Sequence, residues 1–234
     1  MKTKHIGIVA CSAEGAALCY RTICREAAEY MGEHNHPEIT IHTHPLSQYM
    51  VYVRKKEWEN VSRLMLSSTA ILKQAGAELA ICPDNTIHEA YPLVEPKSPI
   101  PWLHIAEEVA REAHRYKYSK LGITGTKYLM TGPVYSVILK AKNIRSEIPD
   151  ADDRKRMDDI IFSELVNGIF SQSSRLYFNE VFQKFKDSGC KAVVLGCTEI
   201  PLLVNPYDSP LPVLDSTRIP VSYTHLTLPT NREV

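Results

Sequence analysis

None of the six cysteines (Cys11, Cys19, Cys24, Cys82, Cys190, Cys197) forms a C-x-x-C pair, which argues against a zinc knuckle or a dithiol redox motif. Neither sign of charge is in excess. The 27 Lys and Arg balance 27 Asp and Glu over 234 residues, which argues against a nucleic-acid or anionic-membrane partner. No apolar run approaches the ~20 residues of a membrane-spanning helix. No G-x-G-x-x-G follows a strand pattern and no G-x-x-x-x-G-K-[ST] occurs, so a nucleotide cofactor is not expected. The opening M-K-T-K-H-I-G-I-V-A runs directly into a strand pattern with no apolar leader, and a cytoplasmic location with reduced cysteines is expected.

What is present is an alternation of strands and helices. Residues 4–10 read as a buried strand, followed by Cys11-Ser12-Ala13-Glu14-Gly15 and a helix in which Ala16, Tyr20, Ile23, Cys24, Ala27 and Met31 recur at helical spacing. Strands follow at 39–44, 79–82, 121–124 and 192–196, with helices at 58–72, 105–114, 158–170 and 174–185. Arg54-Lys55-Lys56 reads as a solvated helix start. This pattern predicts parallel sheets covered by helices.

A weak internal repeat supports two similar halves. G-A-E-L-A-I-C-P-D-N-T from Gly76 aligns without a gap with G-C-K-A-V-V-L-G-C-T-E from Gly189, which pairs Asp84 with Cys197 and Cys82 with Leu195. H-I-G-I around Gly7 matches K-L-G-I around Gly122. The expected fold is α/β, with two similar Rossmann-like or flavodoxin-like domains and the active site in the cleft between them. Residues 1–115 plus 206–220 form the first domain and 116–205 the second. Ligands of such sheets bind beyond the carboxyl ends of the strands, where the Asp84 and Cys197 loops lie. The segment V-S-Y-T-H-L-T-L-P-T-N-R-E-V (221–234) has no helical period and reads like the translation of a sequencing-library adapter. It is expected to be foreign to the protein, whose own sequence would then break off near Ile219.

L-G-C-T-E-I-P-L-L (195–203) and C-P-D-N-T-I-H (82–88) resemble the two signatures of the aspartate/glutamate racemase family. A-C-S-A-E-G-A-A-L-C-Y-R (10–21), G-I-T-G-T-K-Y-L-M (122–130) and L-D-S-T-R-I (214–219) extend the likeness. The resemblance implies a two-domain isomerase, often dimeric, that needs neither pyridoxal phosphate nor any other cofactor. It implies an amino-acid substrate (aspartate, glutamate or a relative), with one group removing the α-proton and another returning it from the opposite face. The chain departs from the family in one place. The residue before Asn85-Thr86 is Asp84 rather than the usual Cys, and Cys82 lies two positions earlier.

Asp84 is therefore favoured over Cys82 as the first base, with Cys197 as the second. Alternate residues of an extended segment face one side, so Cys82 would neighbour Asp84. Asn85, Thr86, Thr126 and Thr198 offer donors to a substrate carboxylate. Ser12 offers either an anion cradle or a helix cap. Glu199 would orient the loop or a neighbouring group. His88 either begins a helix or takes part in catalysis. Pro-Asp-Asn is also ordinary turn chemistry, and Cys197 could be only a small buried residue. Tyr49 and Tyr52 are candidate pocket walls, and Arg21, Lys127 and Arg218 are candidate partners of a distal carboxylate. His42 and His44 share a strand face, but no third ligand stands at metal-site spacing, so no metal is expected. The unlike Asp84/thiol pair leaves related carbanion enzymes open (a decarboxylase, an isomerase, a hydantoin racemase), and a non-catalytic amino-acid-binding module as well.

Overall fold

The computed structural model describes residues 3–226. The chain divides into two compact units. One holds the residues up to Ile105 together with those from Thr217 onward, and the other is Ala106–Ser216.

The first unit runs β1 (Ile6–Ala10), α1 (Ala13–Met31), β2 (Ile39–Thr43), α2 (Leu46–Lys55), α3 (Trp58–Gln74), β3 (Leu79–Ile81), a 3₁₀ turn Thr86–Ala90, α4 (Tyr91–Val94) and β4 (Trp102–Leu103). Its four strands are parallel in the order β2-β1-β3-β4. All of β1 is buried because helices cover a parallel sheet on both faces. On α1, Ala16, Ile23 and Ala27 of the expected stripe are buried, and Cys19 joins them, whereas Tyr20 is exposed and Cys24 and Met31 are half-buried. The basic run 54–56 ends a helix instead of starting one. Arg54 and Lys55 close α2, where cations suit the dipole, and Lys56 turns out of it in the left-handed conformation at φ 56°.

The second unit runs α5 (Ile105–Arg115), β5 (Lys120–Thr124), α6 (Lys127–Thr131), α7 (Pro133–Ala141), β6 (Arg145–Glu147), α8 (Ala151–Ser163), α9 (Gln172–Asp187), β7 (Ala192–Leu195), α10 (Ile200–Leu203) and β8 (Val213–Asp215). Its sheet is again parallel, in the equivalent order β6-β5-β7-β8. The expected helix 158–170 begins seven residues sooner, at Ala151, because Asp150 caps it by accepting the Asp153 N–H at 2.9 Å. Such a cap is worth about 1 kcal/mol. Met157, Ile161, Phe178, Phe182 and Phe185 form the core on this sheet.

The unit boundaries fall elsewhere than at 115/116 and 205/206. Nearly all of α5 belongs to the second unit, and β8 keeps the chain there until Ser216 by pairing with β7. After that, α11 (Arg218–Leu226) lies against α1, and the fully buried Val221 joins Ile8, Cys19 and Ile23. A segment expected to be foreign thus begins inside a packed helix. Residues beyond 226 lie outside the described residues.

The repeat has a physical basis in its glycines. Gly76 and Gly189 have φ of +99° and +88° and end α3 and α9. Each closes the same motif: Ala77 N–H donates to Leu72 O and Gly76 N–H to Lys73 O, as Cys190 does to Phe185 O and Gly189 to Lys186 O. Leu72 and Phe185 in turn pack on Gly7 and Gly122 in the central strands. A Cβ on Gly122 would stand 2.5 Å from the Phe185 ring, and one on Gly7 3.1 Å from Leu72. Each half therefore needs a bare backbone where its helix crosses its middle strand.

Candidate active site

In the first unit, Ser12, Cys82, Asp84, Asn85 and Thr86 all follow the carboxyl ends of the adjacent strands β1 and β3. Ser12 caps α1, accepting the Gly15 N–H at 3.2 Å, so it is at least a cap. Asp84 makes the turn. Its Oδ1 accepts the Ile87 N–H at 3.0 Å, and the side chain stays half-buried while Asn85 is buried. Cys82 is buried at the strand end. Burial lifts its thiol well above the ordinary range, the Asp84 charge lifts it further, and the Asp84 N–H hydrogen bond to it opposes both. Cys82 is thus held protonated beside Asp84. Tyr49, fully buried, faces this group. Burial raises its phenol first, then the nearby Cys82, Cys11 and Asp84. Cys11 was not singled out in the sequence. Its place after β1 is the signal that could have found it.

His88 has a structural assignment. Its Nε2 accepts the Ile105 N–H at 3.3 Å, so the proton sits on Nδ1, which donates to the Asp84 carbonyl at 2.6 Å. The neutral ring ties the Asp84 turn to the end of β4. His104 stacks edge-on against it at 4.9 Å. Burial lowers His88 to about 3, with the neighbouring His104 next in effect, and burial lowers His104 to about 4. In the unfolded chain both take up protons near pH 6.5. As pH falls from about 6.5 towards 4, the unfolded state binds more protons, so stability falls by about 1.4 kcal/mol per pH unit for each ring at most. The urea midpoint should be clearly lower at pH 4.5 than at pH 7, and His104→Gln should flatten that dependence. A midpoint flat over this range would contradict the buried neutral pair.

In the second unit, Thr126, Cys197, Thr198 and Glu199 follow β5 and β7. Thr126 caps α6 through the Leu129 N–H at 3.2 Å. Gly196 N–H donates to Thr124 O at 3.0 Å, and a Cβ on Gly196 would stand 2.3 Å from that oxygen. Glycine is therefore what lets β7 turn directly into Cys197. The Thr124 hydroxyl donates to Val194 O and the Ser216 hydroxyl to Leu195 O, each at 2.7 Å, which pins the strand end. Ser216 was missed in the sequence, and a buried serine just after β8 is its only mark. The Cys197 thiol donates to Glu199 Oε2 at 2.9 Å, and the Thr198 hydroxyl reaches the same oxygen at 3.0 Å. All three residues are buried.

Other candidates do not join these clusters. Lys127 pairs with Asp158 at 3.3 Å, and Arg21 is exposed on α1. His42 and His44 instead bond to Ser68 and Ser67 on α3. Among the described residues, no group of three or more His, Cys, Asp or Glu is placed to hold a metal ion, and no helix is long and apolar enough to cross a membrane.

Comparisons with known proteins find similarity along nearly the whole chain. A candidate Asp/Glu racemase from Yersinia pestis is 30% identical, with a TM-score of 0.86 over 95% of this chain and 98% of its own. An aspartate racemase homologue from Pyrococcus horikoshii OT3 is 26% identical, with a TM-score of 0.82 over 95% of this chain and 97% of its own. The broad specificity amino-acid racemase RacX of Bacillus subtilis is 18% identical over 194 residues, 83% of each chain. The Asp/Glu/Hydantoin racemase family model matches residues 6–224. The chain is an isomerase that belongs to the Asp/Glu/Hydantoin racemase family.

Proposed function

We propose that this isomerase racemises aspartate, glutamate or a related amino acid without a cofactor, by two-base transfer of the α-proton, with Cys197 as one base and Asp84 as the other. The observation that carries the reading is the Cys197 thiol at the end of β7, hydrogen-bonded to a buried carboxylate at 2.9 Å. An α-carbon beside a carboxylate is a very weak acid, so the base must be held in place and the developing charge met by donors. The donors of Asn85 and Thr86 suit that task, whereas the Thr198 hydroxyl gives its hydrogen to Glu199 Oε2. Asp84 is preferred over Cys82 because Cys82 is held protonated by burial, whereas Asp84 is half-buried in its turn. The B. subtilis relative is named for broad specificity, so the substrate is sought among many amino acids.

The test is α-proton exchange in D2O, followed by NMR, for L- and D-amino acids and a 5-substituted hydantoin. Exchange with both enantiomers of one amino acid, together with inversion, is the expected result. Exchange confined to the hydantoin would move the reaction to the other substrate named in the family description. No exchange from any compound by the folded protein would refute the reading.

A further inference from the structure

The turn from α7 into β6 gathers positive charge. Residues 136–146 read S-V-I-L-K-A-K-N-I-R-S, with Lys140, Lys142 and Arg145 and no acid, in a chain that has as many acids as bases. Asn143 sets the turn. It takes the left-handed conformation at φ 58°, its N–H donates to Lys140 O at 3.1 Å, and the Ile144 N–H donates to Leu139 O at 2.9 Å. The turn brings Lys140 and Arg145 to one cavity of about 600 Å³, lined also by Lys120, Asn143, Ile144 and Ser146. That volume lies within the range of small-molecule sites. Lys120 and Arg145 are register partners on the parallel strands β5 and β6, so two like charges stand on backbones about 4.8 Å apart. Such a pair costs stability unless each charge is answered. Lys120 is answered, because it pairs with Glu147 and donates to Ser188 O at 2.7 Å. Arg145 is not. Among the described residues, neither its side chain nor that of Lys140 has a hydrogen bond or a carboxylate at ion-pair distance, and the Asn143 amide and the Ser146 hydroxyl are likewise uncommitted. Protection of an edge strand accounts for a charge on β6. It does not account for Lys140, which reaches the same cavity from a helix.

We propose that this cavity binds a small phosphate monoester. Such a group carries a charge of about −1.5 to −2 near pH 7, which the two uncommitted cations match. The Arg145 guanidinium can donate to two phosphate oxygens at once, a geometry that favours arginine at phosphate sites. Lys140 supplies the second charge, and Asn143 and Ser146 supply donors for the remaining oxygens. A phosphate alone does not fill the space. Ile144 and the aliphatic stems of the two long side chains offer carbon surface to the organic part of the ester. The cavity lies at the amino ends of β5 and β6, whereas Thr126 and Cys197 follow the carboxyl ends of β5 and β7. An occupant therefore takes no space from a substrate at Cys197, and the proposal does not rest on the racemase reading.

Calorimetric titration of the full chain with inorganic phosphate and with phenyl phosphate tests this, at low ionic strength where exposed charges are least screened. Both probes should bind, phenyl phosphate more tightly, and Lys140→Ala/Arg145→Ala should weaken both by about tenfold or more. Both residues are exposed, so the double variant should keep its fold. Lys73→Ala/Lys97→Ala removes the same charge from exposed positions elsewhere and should leave binding unchanged. No binding of either probe would overturn the proposal and leave the cations as guards of the β6 edge. Binding that survives Lys140→Ala/Arg145→Ala unchanged would put the anion elsewhere, the Cys197 end included. An equal loss in the two double variants would reduce the effect to net charge. Phenyl phosphate that binds no more tightly than phosphate would refute a site for an organic ester.

Discussion

Replacing Cys197 with Ala should lower racemisation in both directions by about a thousandfold or more, since under the proposed two-base transfer it removes one of the two groups that inversion requires. The effect on α-proton exchange should be unequal. The enantiomer whose proton faces Cys197 should stop exchanging, and its mirror image should still lose its proton to the remaining base and regain one from solvent. The fold should survive. Cys197 is only 9% exposed, but Ala fits in its place, and the Glu199 carboxylate keeps its Thr198 donor. A stability loss of about 1 to 2 kcal/mol is expected from the lost sulfur contacts and one hydrogen bond. Cys197→Ser sharpens the test, because it restores a donor to Glu199 yet presents a hydroxyl, a far weaker acid than a thiol. If the serine variant racemises at the original rate, the sulfur is not the base. Chiral chromatography of the product and NMR of the residual α-proton read the two quantities separately.

The sequence made the middle of each sheet legible and its margins obscure. β1 and β7 are apolar along their length because both faces are covered, and β5 is buried from Leu121 to Thr124 around its Leu-Gly-Ile, so these runs stand out without any partner being known. β6 reads Arg-Ser-Glu and lies at an edge, mostly exposed, so no apolar pattern announces it. β4, with only two residues, is defined by its pairing with β3. The repeat was visible because its glycines serve the same steric purpose twice. The turn residues were legible as residue types, but their bonds were not. A sequence shows that Asp84 precedes His88. It does not show that the His88 ring bridges the Asp84 carbonyl to the Ile105 amide and is thereby fixed in its neutral form. Lys127 looked available for a distal carboxylate until Asp158, thirty-one positions away, came beside it. The Cys197–Glu199 bond belongs to the same class. Residues two apart in a strand share a side, but here the chain has left the strand, and only the turn at Gly196 brings thiol and carboxylate to 2.9 Å.

Asp84→Asn should lower racemisation by about a hundredfold or more while leaving the turn standing. The asparagine Oδ1 can still accept the Ile87 N–H that Asp84 holds at 3.0 Å, so the helical turn that follows keeps its cap to within about 1 kcal/mol. The backbone bonds from Asp84 to His88 and to Cys82 do not depend on the side chain. What is lost is the ability to take a proton. The exchange pattern should therefore be the mirror of that in Cys197→Ala: the enantiomer that fell silent there should exchange here, and the other should not. Cys82→Ala is the control. Its thiol is pushed up by burial, so its removal should change kcat by no more than about threefold, although the buried strand end loses some packing. The opposite pair of results, a silent Cys82→Ala and an active Asp84→Asn, would make Cys82 the base and Asp84 only its turn. If both variants racemise normally, neither residue moves the proton, and a two-base reaction through this loop is wrong. If both lose the same enantiomer, the carboxylate and the thiol act as one unit.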